Sequence, residues 1–301
     1  MGNPKDSGTV PPYSGPQQTT TAAAAEEENL LFTPDDFKYD QMVSSCDLSI
    51  RYAFVRKVYT LLGLQLFFTF MAQVLFFYDI IPRYIIFKPI FQIPAFIGSF
   101  VLCIVLFMAT TNEDDYEGDE ETGESRRPFF APVIRMKYRT QLFLLGLFTV
   151  CESVMISYIT VVYNPRIIMS AVLCTLVIVA STTLFVFRQA KKYEKNNGSL
   201  EFEEAENRSL FKIYNVLWIL TTFLLGFGVI MIFMPYNSTR ELIFSWIGAI
   251  LFTLYLYVDS YMVLRKVRPN EEIRCCMMLY LDIINLFLNI LRILAHNNND
   301  D

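Results

Sequence analysis

Seven stretches of this 301-residue chain approach or exceed the ~20 residues of helix needed to cross a bilayer, and six of them are almost free of charge. They run from Val58 to Tyr78, Ile93 to Thr111, Gln141 to Tyr163, Ile167 to Phe187, Ile213 to Met234 and Leu242 to Leu264, and a polar seventh follows from Cys276 to Leu294. The connections are charged or carry helix breakers, as at Asp79, Pro82 and Arg83, at Asn164-Pro165-Arg166 and at Pro235-Tyr236-Asn237. Only 18% of the residues are charged and 53% are hydrophobic, whereas a soluble domain carries about 25% charged residues to wet its surface. The pattern predicts an all-α membrane protein, a bundle of seven transmembrane helices.

Several chemistries are excluded by what the chain lacks. Its single histidine, His296, leaves no His-based triad, HExxH zinc site or imidazole metal cage to assemble. The six cysteines show no CxxC spacing, and three lie inside apolar stretches, which argues against a disulfide framework. Cys275-Cys276 lies at the expected membrane edge, where palmitoylation is an alternative to a structural role. A net charge of −5 without a clustered basic surface speaks against nucleic acid as a partner. Neither an enzymatic activity nor a tightly bound cofactor is expected.

Lys and Arg set the orientation. The N-terminal region and the 112–140, 188–212 and 265–274 connections together carry 20 basic residues, against four (Arg83, Lys88, Arg166, Arg240) on the other side. The N-terminus is therefore expected in the cytoplasm, as a Pro-, Thr- and Ala-rich disordered tail over 1–38. The membrane domain is expected over 39–296 and a polar C-terminal tail over 297–301. No basic start followed by an apolar stretch marks a signal peptide. The 112–127 segment holds eight acids between Glu113 and Glu124 and imitates an EF-hand loop in spacing, but Glu120 occupies the usual aliphatic position. It reads as a solvated acidic cytoplasmic loop. The sequons at Asn197, Asn207 and Asn237 read as chance matches in this topology.

Charge inside a span costs about 2.5 kcal/mol or more at the centre and persists where it faces protein or water. The spans hold four such groups: Glu152, Asp259, Asp282 and Arg292. Asp259 lies roughly 7 Å before the cytoplasmic end of the sixth helix, and Asp282 roughly 9 Å into the seventh, at 1.5 Å per residue. Two consecutive antiparallel helices thus bring two carboxyls to one level. In contact they share a proton and titrate as a pair with two separated apparent pKa values. Their oxygens suit a transient Ca²⁺, whose six to eight ligands would have to be completed by water and carbonyls. Asp282, Asn285, Asn289 and Arg292 lie on one face of the seventh helix. That stripe reads as the lining of a hydrophilic path or, alternatively, as interhelical hydrogen-bond glue. Arg292 alternatively snorkels to the far interface. Glu152, near mid-membrane, is a third member of the path or an acid satisfied by a neighbouring hydroxyl.

The string Leu279-Tyr-Leu-Asp-Ile-Ile-Asn-Leu-Phe-Leu-Asn-Ile-Leu-Arg-Ile-Leu294 closely resembles the C-terminal helix of the transmembrane BAX-inhibitor-motif, or lifeguard, family. Arg51 to Leu66 resembles that family's entry into its first helix, and Phe148-Thr-Val-Cys-Glu-Ser153 is similar to its third. The resemblance covers about residues 36–296 and is strongest to the Golgi anti-apoptotic branch. It implies a bundle with the seventh helix central, residence in Golgi or endoplasmic reticulum membranes, a pH-dependent Ca²⁺ leak and restraint of cell death. The family's aspartate pair falls on Asp259 and Asp282. Tyr257-Val-Asp-Ser260 departs from the usual Tyr-Asp-Thr around the first aspartate. The implied partners are the lipid bilayer, Ca²⁺, and cell-death regulators or other Ca²⁺ channels.

Two other classes compete with this reading. An intramembrane aspartyl protease also carries two aspartates on consecutive helices, but the Gly-x-Gly-Asp and Pro-Ala-Leu motifs are absent here. A non-conducting scaffold that binds cell-death regulators through its cytoplasmic loops is compatible with the same sequence.

Overall fold

The computed structural model describes residues 48–78, 80, 88–111, 134–195, 200–235, 237–265 and 271–299. The expected tail over 1–38, the acidic loop over 112–127, Cys46 and Asn197 lie outside them. Seven helices occupy the described residues: α1 (Leu48–Phe77), α2 (Pro89–Met108), α3 (Tyr138–Val162), α4 (Pro165–Lys195), α5 (Leu200–Phe233), α6 (Ser238–Arg265) and α7 (Glu272–Asn299). Each contains a segment long and apolar enough to span a membrane. The chain is an all-α, multi-pass membrane protein.

The breakers in the sequence are the helix boundaries. Pro89 and Pro165 open α2 and α4 at the first helical position, where the missing N–H costs nothing. Asn164 Oδ1 accepts the Arg166 N–H at 3.1 Å, and Asn237 Oδ1 accepts the Arg240 N–H at 3.2 Å. These asparagines cap α4 and α6, so the Asn237 side chain serves folding. α2 ends where Ala109 turns extended. There the structure adds a feature that the all-α reading did not contain. Ala109–Thr111 (β1) pairs in parallel with Ile134–Met136 (β2), in the register Ala109 to Ile134, and straps the end of α2 to the start of α3.

α7 is the central helix. It packs against α1, α2, α3, α4 and, most extensively, α6. In its spanning window 61% of residues are buried, against 6% in α5, whose main contact is with α6. The core gathers on α7: Leu279, Tyr280, Leu286 and Leu291 are fully enclosed, and the Tyr280 ring meets Phe148 edge-to-face at 5.9 Å. The outward faces carry side chains such as Phe143, Val177, Trp218, Phe223 and Phe233, a surface that only lipid tails solvate well.

Candidate functional site

Asp259 and Asp282 sit on the two helices with the most extensive contact, near the end that the charge asymmetry assigns to the cytoplasm. The structure brings them together: the two carboxyls interact with each other across the α6–α7 contact, and the residues are only 4% and 6% exposed. Asp259 Oδ1 and Asp282 Oδ2 have no hydrogen-bond partner among the described residues. Burying an acceptor without a partner costs free energy that most folds avoid. Each acid thus keeps one buried acceptor oxygen unanswered among the described residues. Among the described residues no three His, Cys, Asp or Glu side chains cluster as metal ligands.

The rest of the stripe continues away from the pair along α7. Asn285 Nδ2 donates to the Leu281 carbonyl, and Asn289 Nδ2 donates to the Asn285 carbonyl, each at 2.8 Å. Both amides fold back onto their own helix. At Asn289 the facing helix comes very close: a Cβ placed on Gly248 would lie 2.5 Å from Asn289 Oδ1. Glycine is needed at 248 for space. Ser245, one turn earlier on α6, is fully enclosed and its hydroxyl has no partner. Arg292 is half-buried near the far end of α7.

Glu152 is placed elsewhere. It lies between α2 and α3, where Ser99 Oγ donates to its Oε1. Of the two sequence readings, the acid satisfied by a neighbouring hydroxyl describes this contact. Cys275 and Cys276 are both buried in the bundle, which leaves neither thiol at a surface where an acyl chain attaches.

Two polar assemblies were not read from the sequence. The first is a ladder between α1, α3 and α7. Gln65 Nε2 donates to Thr149 Oγ1 at 2.8 Å, and Cys276 Sγ donates to Gln65 Oε1 at 2.8 Å. Thr69 Oγ1 and the Tyr280 hydroxyl are 2.9 Å apart, and Gln73 Nε2 donates to the Ser153 carbonyl at 3.0 Å. Its signal was present: Gln65, Thr69 and Gln73, like Thr149, Ser153 and Ser157, recur every four residues, which puts each trio on one helical face. The second is a set of charges around the first turn of α7. Lys57 Nζ is 2.7 Å from Glu272 Oε1 and 4.6 Å from the Tyr138 ring centroid. The buried Arg274 donates to Glu271 Oε1 and to the Ala109 carbonyl.

The family model described as "Bax1-I: Inhibitor of apoptosis-promoting Bax1" matches residues 51–299. The chain belongs to the Bax1-I family. Its relatives include "Bax inhibitor 1" of Saccharomyces cerevisiae, 35% identical over 90% of this chain and 91% of the yeast protein. The "Golgi anti-apoptotic protein" of Vaccinia virus (strain Lister) is 28% identical over 88% of this chain and 94% of its own length. "Protein lifeguard 4" of Mus musculus is 28% identical over 88% and 93%. The Bax1-I match takes in α1 from Arg51 onward and the other six helices whole, so the aspartate pair, the ladder and the charges around α7 all lie within the family domain.

Proposed function

We propose that this Bax1-I protein is a pH-responsive Ca²⁺ leak of the Golgi or endoplasmic reticulum that lowers store Ca²⁺ and so restrains apoptosis. The observation that carries the reading is the contact between Asp259 and Asp282, two buried carboxyls whose outer oxygens have no partner. Such a pair exchanges a proton with its surroundings and offers hard oxygens to a passing divalent cation. A tight resident site would trap the ion, whereas two carboxylates with few other donors release it again. The polar face of α7, with Asn285 and Asn289, continues the path away from the pair. Supporting the cellular side, relatives carry names that state inhibition of Bax, anti-apoptotic action and the Golgi.

The test is reconstitution in liposomes with Ca²⁺ flux measured across a range of pH. Wild-type protein is expected to conduct in a pH-dependent way, and Asp259→Asn and Asp282→Asn are expected to flatten that dependence. Absence of flux at every pH from folded protein would sink the leak and favour a scaffold that binds cell-death regulators. Unchanged profiles in both variants would remove the pair from the mechanism.

A further inference from the structure

The polar face of α7 does not stop at Asp282. Cys275 lies seven residues before it, two helical turns or roughly 10 Å along the axis, and therefore on the same side of the helix. An approach to the aspartates from the cytoplasmic end along this side of α7 would pass Cys275. In this structure that approach is closed: Cys275 is 5% exposed and Cys276 is fully enclosed.

What closes it is charged. Arg274, only 3% exposed, donates from Nη2 to the carbonyl of Ala109 at 3.2 Å and from Nη1 to Glu271 at 3.0 Å, and its guanidinium carbon lies 5.6 Å from the centroid of the Phe107 ring. Ala109 is the residue at which α2 ends and β1 begins. Two residues before Arg274, Glu272 is clasped by Lys57 of α1, whose ammonium also lies over Tyr138 at the start of α3. The first turn of the central helix is thus held to α1 by an ion pair and to the residue that ends α2 by a guanidinium–carbonyl hydrogen bond, and through Lys57 to α3.

The physics of these grips differs from that of the ladder deeper in the bundle. A desolvated ion pair adds little net stability over an apolar packing of the same shape, because dehydration of the charges offsets their attraction. When water enters, the charges regain hydration and the pair parts at low cost. Neutral hydroxyl and amide bonds inside the membrane have no such compensation. Charged contacts at the cytoplasmic end of α7, with Lys57 half-exposed, are therefore better suited than the ladder to exchange a closed arrangement for a hydrated one.

We propose that Arg274 with Ala109, and Glu272 with Lys57, form a collar that is the closed cytoplasmic gate over the Asp259–Asp282 pair, and that its release admits water and ions to the pair. The gate rests on the reading of that pair as part of a conducting path.

Cys275 and Cys276 report on the collar directly. In a Cys46→Ser, Cys103→Ser, Cys151→Ser, Cys174→Ser background, the two remaining thiols are exposed to a membrane-impermeant cationic methanethiosulfonate in proteoliposomes. The thiolate forms a mixed disulfide and releases sulfinate. Slow modification is expected in the otherwise unaltered background. Arg274→Gln is expected to speed it on the order of tenfold, the population shift that follows loss of a charge-assisted hydrogen bond. Arg274→Lys is expected to retain part of the protection. Lys57→Gln breaks the other grip from its half-exposed side, without opening a hole in the core, and is expected to act in the same direction. Rates in folded Lys57→Gln and Arg274→Gln proteins equal to that of the background would overturn the collar, as would rapid modification in the background itself. The readout does not depend on Ca²⁺. Protection lost without any Ca²⁺ flux keeps the collar and removes the leak, and flux with protection unchanged in both variants does the reverse.

Discussion

The α1–α3–α7 ladder and the Asp259–Asp282 pair both bury polar groups between packed helices, yet they are built in opposite ways. In the ladder, Gln65 spends its amide on Thr149 and its carbonyl on Cys276, and Thr69 meets Tyr280. Its groups answer one another, and none of them is a carboxyl. The pair sets two acids side by side and leaves an oxygen of each without a hydrogen-bond partner among the described residues. A satisfied buried network fixes a packing arrangement, whereas an unsatisfied one keeps a local instability that a ligand or a proton can relieve. On this contrast the ladder is expected to serve structure, and the pair the proposed function.

The largest expected effect on stability falls on the ladder. Gln65→Leu removes two interhelical bonds and leaves Thr149 and Cys276 without those partners. Interhelical bonds of this kind are worth about 0.6 to 1.7 kcal/mol each in a membrane, so a loss of about 1–3 kcal/mol is expected in thermal unfolding in detergent, with the pH profile of flux unmoved. A shifted profile would break the division between the two regions.

Gly248→Ala comes next, because its methyl group runs into an amide held by the Asn285 carbonyl. Overpacking of this kind costs about 1–2 kcal/mol, and Asn289→Ala in the same chain is expected to restore most of that loss in the same unfolding measurement. The smallest change is expected at the pair itself. Asp259→Asn keeps a hydrogen-bonding side chain and removes the shared acid, so stability at neutral pH is expected to stay within about 1 kcal/mol of the wild type or to rise. A large destabilisation would make the aspartates structural, like the ladder.

How much was legible in advance follows the same physical line. The spans were legible because a bilayer demands about 20 apolar residues from each helix, and the caps at Asn164 and Asn237 coincided with breakers that any reader sees. Asp259 and Asp282 stood out because charge is rare in a span, and their shared level followed from helix geometry alone. Glu152 stood out for the same reason, but rarity does not say which helix a side chain faces, and its partner Ser99 is an ordinary residue 53 positions away. The ladder was overlooked because Gln, Ser and Thr are common enough in spans to pass as background, and only the four-residue period in two helices at once marks it. Arg274 and Glu272 looked like loop charges at the start of the seventh stretch. Their burial depends on α7 beginning at Glu272 and on the placement of the Ala109 carbonyl, which no local pattern encodes.

The central claim is that Asp259 and Asp282 hold a shared proton inside the bundle. Infrared difference spectroscopy of protein labelled with ¹³C at the aspartate carboxyl tests it, since Glu152 is then silent at the shifted frequency. The account predicts an isotope-shifted band of a protonated carboxyl near neutral pH, lost as the pH is raised and absent from folded Asp259→Asn, Asp282→Asn double variant. No such band at any pH, or a band that persists in the double variant, would contradict it.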